Sequence, residues 1–208
     1  MIDLFDKTLF LFAADMEFDA AMDNKNNSYN TAICGVGLVN SAIGTAKAIQ
    51  QKNPEKVIFI GSCGSYNKDF IQEYDFVIGE SIKIASSDLL LGNMRVPALI
   101  QSEFKTNENL NNQLLDFYRI TNNLKKVNIA TTFGITESEK VAKEFENYFS
   151  CEVENLEAYS VAQTCIEFNI PFSIILGVTN IVDKNGGTNW YKNYKNVLKE
   201  LFKPFSTN

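Results

Sequence analysis

Apolar runs of strand length alternate with helix-patterned segments from one end of this chain to the other, and that alternation most limits how it can fold. Strands separated by helices need crossover connections, which place them in a parallel or mixed sheet with helices on its faces. Strand-type runs fall at residues 9–14, 29–34, 56–60, 75–84, 126–131, 151–153 and 172–179, and helical patterns at 39–51, 108–122, 137–148, 157–168 and 190–202. Pro54 and Pro171 stand just before two of the strands, where a residue without an N–H ends a preceding helix. Segments 24–30 and 86–109 lack periodicity and read as connections; the second is long enough to suggest a flap or a partner contact. No repeat, low-complexity tract or linker intervenes, so residues 1–208 are expected to form a single domain with a sizeable core.

Composition removes several classes of function. A hydrophobic fraction of 45% and a charged fraction of 21% suit a soluble globular protein. A net charge of −6 with lysines scattered singly argues against a nucleic-acid partner, because phosphate neutralisation needs clustered cations. No apolar run reaches the roughly 18 to 20 residues of a membrane span. The run ending at Ala14 also lacks the basic flank of a signal peptide, so a cytoplasmic location is expected. Cys34, Cys63, Cys151 and Cys165 show no CxxC spacing and sit among apolar residues, as buried free thiols do. The chain has no histidine, which excludes Ser-His-Asp and Cys-His mechanisms and histidine-ligated zinc. Neither a metal nor a cofactor is expected, and acid–base chemistry falls to carboxylates, amides, tyrosines, lysines or water.

Three segments carry candidate chemistry. Glu152-Val-Glu-Asn-Leu-Glu-Ala158 places Glu152, Glu154 and Glu157 ahead of an apolar helix; Glu154 and Glu157, at i and i+3, would share a face of a helical first turn. The macrodipole alone would also favour acids there. Phe172-Ser-Ile-Ile-Leu-Gly-Val-Thr179 is a buried-strand pattern that ends with Asn180 and Asp183, and strand tips of this kind hold ligands in open α/β sheets. Two glycine-bearing turns, Cys34-Gly-Val-Gly-Leu-Val-Asn-Ser41 and Ile60-Gly-Ser-Cys-Gly-Ser65, follow strands, where glycine lets backbone amides approach a ligand. The first lacks the third glycine of a dinucleotide fingerprint.

In their order and spacing, Ala14-Asp-Met-Glu-Phe-Asp19, Gly35-Val-Gly37, Gly61-Ser-Cys-Gly64, Glu154-Asn-Leu-Glu-Ala158 and Thr179-Asn-Ile-Val-Asp183 resemble the nucleoside phosphorylase and nucleosidase superfamily. That group includes methylthioadenosine/adenosylhomocysteine nucleosidases, futalosine hydrolases and hexameric-type purine nucleoside phosphorylases. The resemblance spans nearly the whole chain and implies a three-layer α/β/α sandwich with a central mixed β-sheet, a purine nucleoside as small-molecule partner, and a homodimer or higher homo-oligomer. It implies that Glu157 binds the ribose 2′- and 3′-hydroxyls, with Leu156 under the sugar in place of the family's methionine. Ser62 matches a serine that supports the group at the base N7. Asn180 stands where adenine-specific nucleosidases have an aspartate acid. Trp190 matches an aromatic near the 5′ end, and Met16 and Ile135 complete the expected substrate-binding set. Laying Met16-Glu-Phe-Asp19 on the family's acidic segment puts Asp19 at the acid that activates water, with Glu17 and Asp15 as alternatives.

Phosphorylases of the hexameric purine type hold phosphate with arginines, one of them two residues before the Gly-Ser-Cys-Gly segment, where this chain has Phe59. Only Arg95 and Arg119 are present, neither in a matching motif. A dianion without a guanidinium is costly to bury, so water is the expected nucleophile. The alternative enzyme is a phosphorylase that uses lysines or an arginine from a neighbouring subunit; the alternative from another class is a catalytically silent nucleoside-binding protein. Asn180 offers an amide donor to O6, and Glu154 is placed to accept from N1–H. Both favour 6-oxopurine nucleosides such as futalosine or inosine over methylthioadenosine.

Overall fold

The computed structural model describes residues 5–22, 29–119 and 123–206. The elements run β1 (Thr8–Phe12), α1 (Asp15–Met22), β2 (Asn30–Ile33), α2 (Gly37–Lys52), β3 (Lys56–Ser65), β4 (Phe76–Ile84), α3 (Ser87–Leu90), β5 (Glu103–Lys105), α4 (Glu108–Tyr118), β6 (Leu124–Thr131), α5 (Glu139–Phe149), β7 (Val153–Glu154), α6 (Ala158–Glu167), β8 (Phe172–Ile181) and α7 (Gly186–Phe202), with a 3-10 turn at Lys203–Ser206. All the strands join one mixed sheet. Parallel pairs link β2 to β1, β1 to β3, β3 to β8, β4 to β6 and β6 to β7; antiparallel pairs link β8 to β4, β4 to β5 and β7 to β3. The pairings β3–β8–β4–β6–β7–β3 close on themselves, so one side of the sheet curls into a ring while β1 and β2 extend from it.

Side-chain alternation explains the layers. Leu9 and Leu11 of β1, Val57 and Phe59 of β3, and Ile174 and Leu176 of β8 enter one core with α2 and α6. Phe10, Phe12, Ile58, Ile60 and Ile175 enter a second core with α1, α4 and α7. The mixed sheet between helical layers is the α/β architecture expected from the alternation. Pro54 and Pro171 do precede β3 and β8; α2 ends at Asn53, in the left-handed region at φ 46°, immediately before Pro54.

Several elements differ from expectation: α1 is a helix beyond those expected, β1 ends at Phe12 and β7 is Val153–Glu154. The segment 60–65, expected as a turn, is the end of β3, because β8 pairs along it and β7 closes its other edge at Gly64 and Ser65. The connection 86–109 contains α3 and β5, both too short for a periodic signal. Helix α7 begins a turn before residue 190, because the Asp183 carboxylate accepts from the Asn185 N–H at 2.7 Å and sets the chain into the helix early. Residues 24–28 of the first expected loop and 120–122 of the expected helix 108–122 lie outside the described residues.

Among the described residues no helix is long and apolar enough to cross a membrane. All four cysteines are buried and free, and burial pushes Cys34 and Cys151 up to about 12. They pack as small apolar groups rather than reacting.

Candidate active site

Two local irregularities aim side chains at the carboxyl ends of β1, β3 and β8. The β3–β8 register slips between Cys63 and Gly64, so that Gly64 faces Asn180 and Thr179 is left as the extra residue of a bulge. The Thr179 hydroxyl lies 2.9 Å from the Asn180 Oδ1 and 3.1 Å from the Cys63 carbonyl. The Asn180 Nδ2 donates to the Ile181 carbonyl at 3.1 Å. A Cβ on Gly64 or on Gly186 would come within 3.0 Å of that Nδ2, so both glycines make room for the amide. One Nδ2 proton is committed to Ile181, and the other remains to be donated.

The second irregularity is the tight step from β7 to α6. Asn155 serves the helix start: its Oδ1 accepts from the Glu157 N–H at 3.0 Å and the Ala158 N–H at 2.8 Å, and its Nδ2 donates to the Ser62 carbonyl at 3.0 Å. Thr131 Oγ1 accepts from the Tyr159 N–H at 3.1 Å. With those helix-end donors satisfied, the Glu157 carboxylate is released to the opposite side, where its Oε1 accepts from the Gly37 N–H at 2.9 Å. Gly37 opens α2 at φ +79° after Gly35 at φ +96°, the backbone that glycine supplies without strain. The positive end of α2 therefore faces Glu157.

Between these features lies a cavity of about 280 Å³. Its walls include Glu17, Ser62, Glu154, Glu157, Asn180 and Trp190, and its rim Met16, Val36, Ile135 and Leu156. Among the described residues, no lysine or arginine lines it. Arg95 and Arg119 are exposed, and Phe59 is buried in the core rather than at the cavity.

The carboxylates differ in their partners. Glu17 on α1 is 5% exposed; its Oε1 accepts from Ser62 Oγ at 2.6 Å, and its Oε2 is buried with no partner. Burial, with the Glu157 charge adding to it, pushes Glu17 up to about 7 against the opposing Ser62 hydrogen bond. Glu154 holds two donors, the Tyr66 hydroxyl on Oε2 at 2.8 Å and the Thr136 N–H on Oε1 at 3.0 Å. Burial raises both Glu154 and Glu157 above the ordinary carboxylate range, while their hydrogen bonds resist it.

Several expected site residues therefore meet, though not all by the expected route. Glu154 and Glu157 do not share a helical face; one ends β7 and the other precedes α6, and the bend between them turns both into the cavity. Asp19 is exposed on α1 and does not line the cavity, because the helix turns it away from Glu17. Asp15 is exposed as well. Ser62 contacts Glu17 and Trp190 rather than Asn180, whose support is Thr179. Glu152 lies outside the cavity and accepts from the Asn128 N–H at 2.7 Å. Sequence reasoning passed over Asn155 and Thr179; the Asn two residues before Glu157, a spacing typical of a side chain turning back onto the backbone, was the available signal.

Residues 25–203 match the phosphorylase superfamily. A 5′-methylthioadenosine/S-adenosylhomocysteine nucleosidase of Staphylococcus aureus (strain JH9) is 26% identical over 157 residues, which are 72% of this chain and 67% of that protein. Among solved structures, a Helicobacter pylori 5′-methylthioadenosine/S-adenosylhomocysteine nucleosidase with butyl-thio-DADMe-Immucillin-A superposes with a TM-score of 0.85 at 18% identity, covering 95% of each chain. Futalosine hydrolase of Helicobacter pylori superposes with a TM-score of 0.85 at 18% identity, covering 95% of this chain and 94% of that one. Those superpositions speak to the fold, and the match over residues 25–203 shows descent: this chain belongs to the phosphorylase superfamily.

Proposed function

We propose that the protein is a purine nucleosidase, using water to cleave the bond between base and sugar. One observation carries this reading: the cavity gathers Glu17, Glu154, Glu157 and Asn180, and no lysine or arginine lines it among the described residues. A bound phosphate dianion would face three carboxyl groups without a counter-charge, whereas a cationic sugar transition state is stabilised by the same groups. Glu157, with Oε1 steadied by Gly37, accepts from the ribose 2′- and 3′-hydroxyls and opposes the positive charge that develops on the ring. Glu17, poised near neutrality, takes the proton from the attacking water. The family named among the relatives, 5′-methylthioadenosine/S-adenosylhomocysteine nucleosidase, and futalosine hydrolase among the structural neighbours support hydrolysis as the reaction type.

Base choice follows from the other end of the cavity. Asn180 has no proton to transfer; its free N–H steadies negative charge that grows at N7 or O6, and the leaving base takes its proton from solvent. Both Glu154 oxygens act as acceptors, each with lone-pair capacity for a further donor such as N1–H of a 6-oxopurine. The site thus favours futalosine-like or inosine-like nucleosides. Assaying base release from adenosine, inosine, methylthioadenosine, adenosylhomocysteine and futalosine tests both levels. Higher kcat/KM for methylthioadenosine than for inosine and futalosine would remove the base preference and leave hydrolysis standing; release from none of them would remove both.

A further inference from the structure

Trp190, Ser62 and Glu17 form a hydrogen-bonded chain with a fixed direction. The indole Nε1–H donates to Ser62 Oγ at 2.9 Å, and Ser62 Oγ donates to Glu17 Oε1 at 2.6 Å. An indole nitrogen can only donate, so the serine oxygen must accept there, and its single proton is left for the carboxylate. The donor end and the middle of this chain are both held. Trp190 stacks on the buried ring of Tyr194 at 4.9 Å with 12° between planes, and the Ser62 carbonyl is held by the Asn155 amide. The chain occupies Oε1 and leaves Oε2 buried without a partner.

We propose that Trp190 is a positioning residue that acts through Ser62, holding the serine proton on Oε1 so that Glu17 takes up and releases its own proton at Oε2. Its catalytic consequence rests on the nucleosidase reading; the effect on Glu17 itself does not. The Ser62 hydrogen bond favours the ionised carboxylate against burial and the Glu157 charge. Other titratable groups around Glu17 are Cys34 after β2, Cys63 on β3 and Glu154 on β7; β1 presents none, and α7 contributes Gly186, Gly187 and Trp190 to the cavity. The positive end of α2 is taken up by Glu157; the serine proton, with the backbone N–H groups of Ser62 and Ala13, favours the charged form of Glu17, and the serine is the largest of these.

Trp190→Phe keeps a stacked ring and deletes the N–H, freeing the Ser62 hydroxyl to rotate. The kcat/KM–pH profile on whichever nucleoside the parent cleaves, together with the titration of the Glu17 carboxyl carbon in protein labelled with 13C-glutamate, reads the outcome. Loss of one oriented hydrogen bond should move the acid limb and the carbon titration to higher pH by about half a unit to one unit. Ser62→Ala should shift them at least as far, and the double variant no further than Ser62→Ala, because both act along one path. Replacing Trp190 with benzothienylalanine, which preserves the indole outline without the N–H, repeats the test should the phenylalanine variant not fold. Unmoved titration in the residue-190 variants while Ser62→Ala shifts would overturn the proposal. A Glu17 titration that Trp190→Phe and Ser62→Ala both shift, in a protein whose parent releases no base, would uphold the relay and refute the nucleosidase reading.

Discussion

Glu17 and Glu154 line one cavity at nearly equal burial, 5% and 6% exposed, yet the protein treats them differently. Glu154 has a donor on each oxygen, from Tyr66 and from Thr136. Glu17 has a donor on one oxygen, an orphan on the other, and a neighbouring carboxylate in Glu157. Burial is the largest cause raising both; for Glu17 the Glu157 charge adds to it, and Glu17 reaches about 7. A carboxyl group fixed at both oxygens is suited to reading a ligand's shape, and one left half-unsatisfied is suited to moving a proton. That difference in surroundings fits the recognition and chemical roles proposed for the two groups.

Substitution of Glu17 should break this contrast most visibly. Glu17→Gln is expected to lower kcat by about 10² to 10⁴, the usual contribution of a positioned base, with little change in KM; steady-state kinetics on the preferred nucleoside checks it. The same variant carries a stability signature. Glu17 binds its proton more tightly folded than unfolded, so its favourable contribution is complete below the ordinary value of 4.5 and is lost as pH rises through about 7. Above pH 8 that loss amounts to about 3 kcal/mol. Thermal unfolding should therefore show Glu17→Gln more stable than the parent at pH 8, with the advantage shrinking towards pH 4. A gain that is equal at both pH values would mean Glu17 is not strained by its charge.

Glu157→Gln should cost roughly 10² to 10³ in kcat, since it removes the oriented charge proposed to face the sugar, while circular dichroism shows the fold retained. Glu154→Gln sharpens the contrast from the recognition side. It should lower kcat/KM for 6-oxopurine nucleosides by about 10- to 100-fold, the scale of a misplaced hydrogen bond to the substrate, and narrow their lead over methylthioadenosine. If it instead matched the kcat loss of Glu17→Gln, the division of labour would be wrong. Asp19→Asn, at an exposed position two residues from Glu17, should leave kinetics within about twofold and stability within about 0.5 kcal/mol of the parent.

That last pair shows where sequence reading stops. The alternation of strands and helices was legible because each buried strand repeats its face over many residues: Leu9 and Leu11 against Phe10 and Phe12 is enough to separate two cores. The choice among Asp15, Glu17 and Asp19 was not legible, because three acids within five residues are equivalent as letters. Only the angle at which α1 leaves β1 decides which one enters the cavity. Asn180 could be placed at a strand tip, but the bulge at Thr179 that aims it has no marker in the residues themselves. The Gly61 to Ser65 segment misled for a related reason: its glycines suit close packing around the site, Gly64 beside Val182 and Asn180, rather than a turn.

The central claim, that this cavity uses water as the nucleophile, is tested most directly by running the reaction in 18O-labelled water with saturating phosphate and analysing the sugar product. The account predicts free ribose or its 5′-substituted analogue carrying 18O at C1, formed at a rate that phosphate does not change. Sugar 1-phosphate as the main product, at a rate that rises with phosphate, would contradict it.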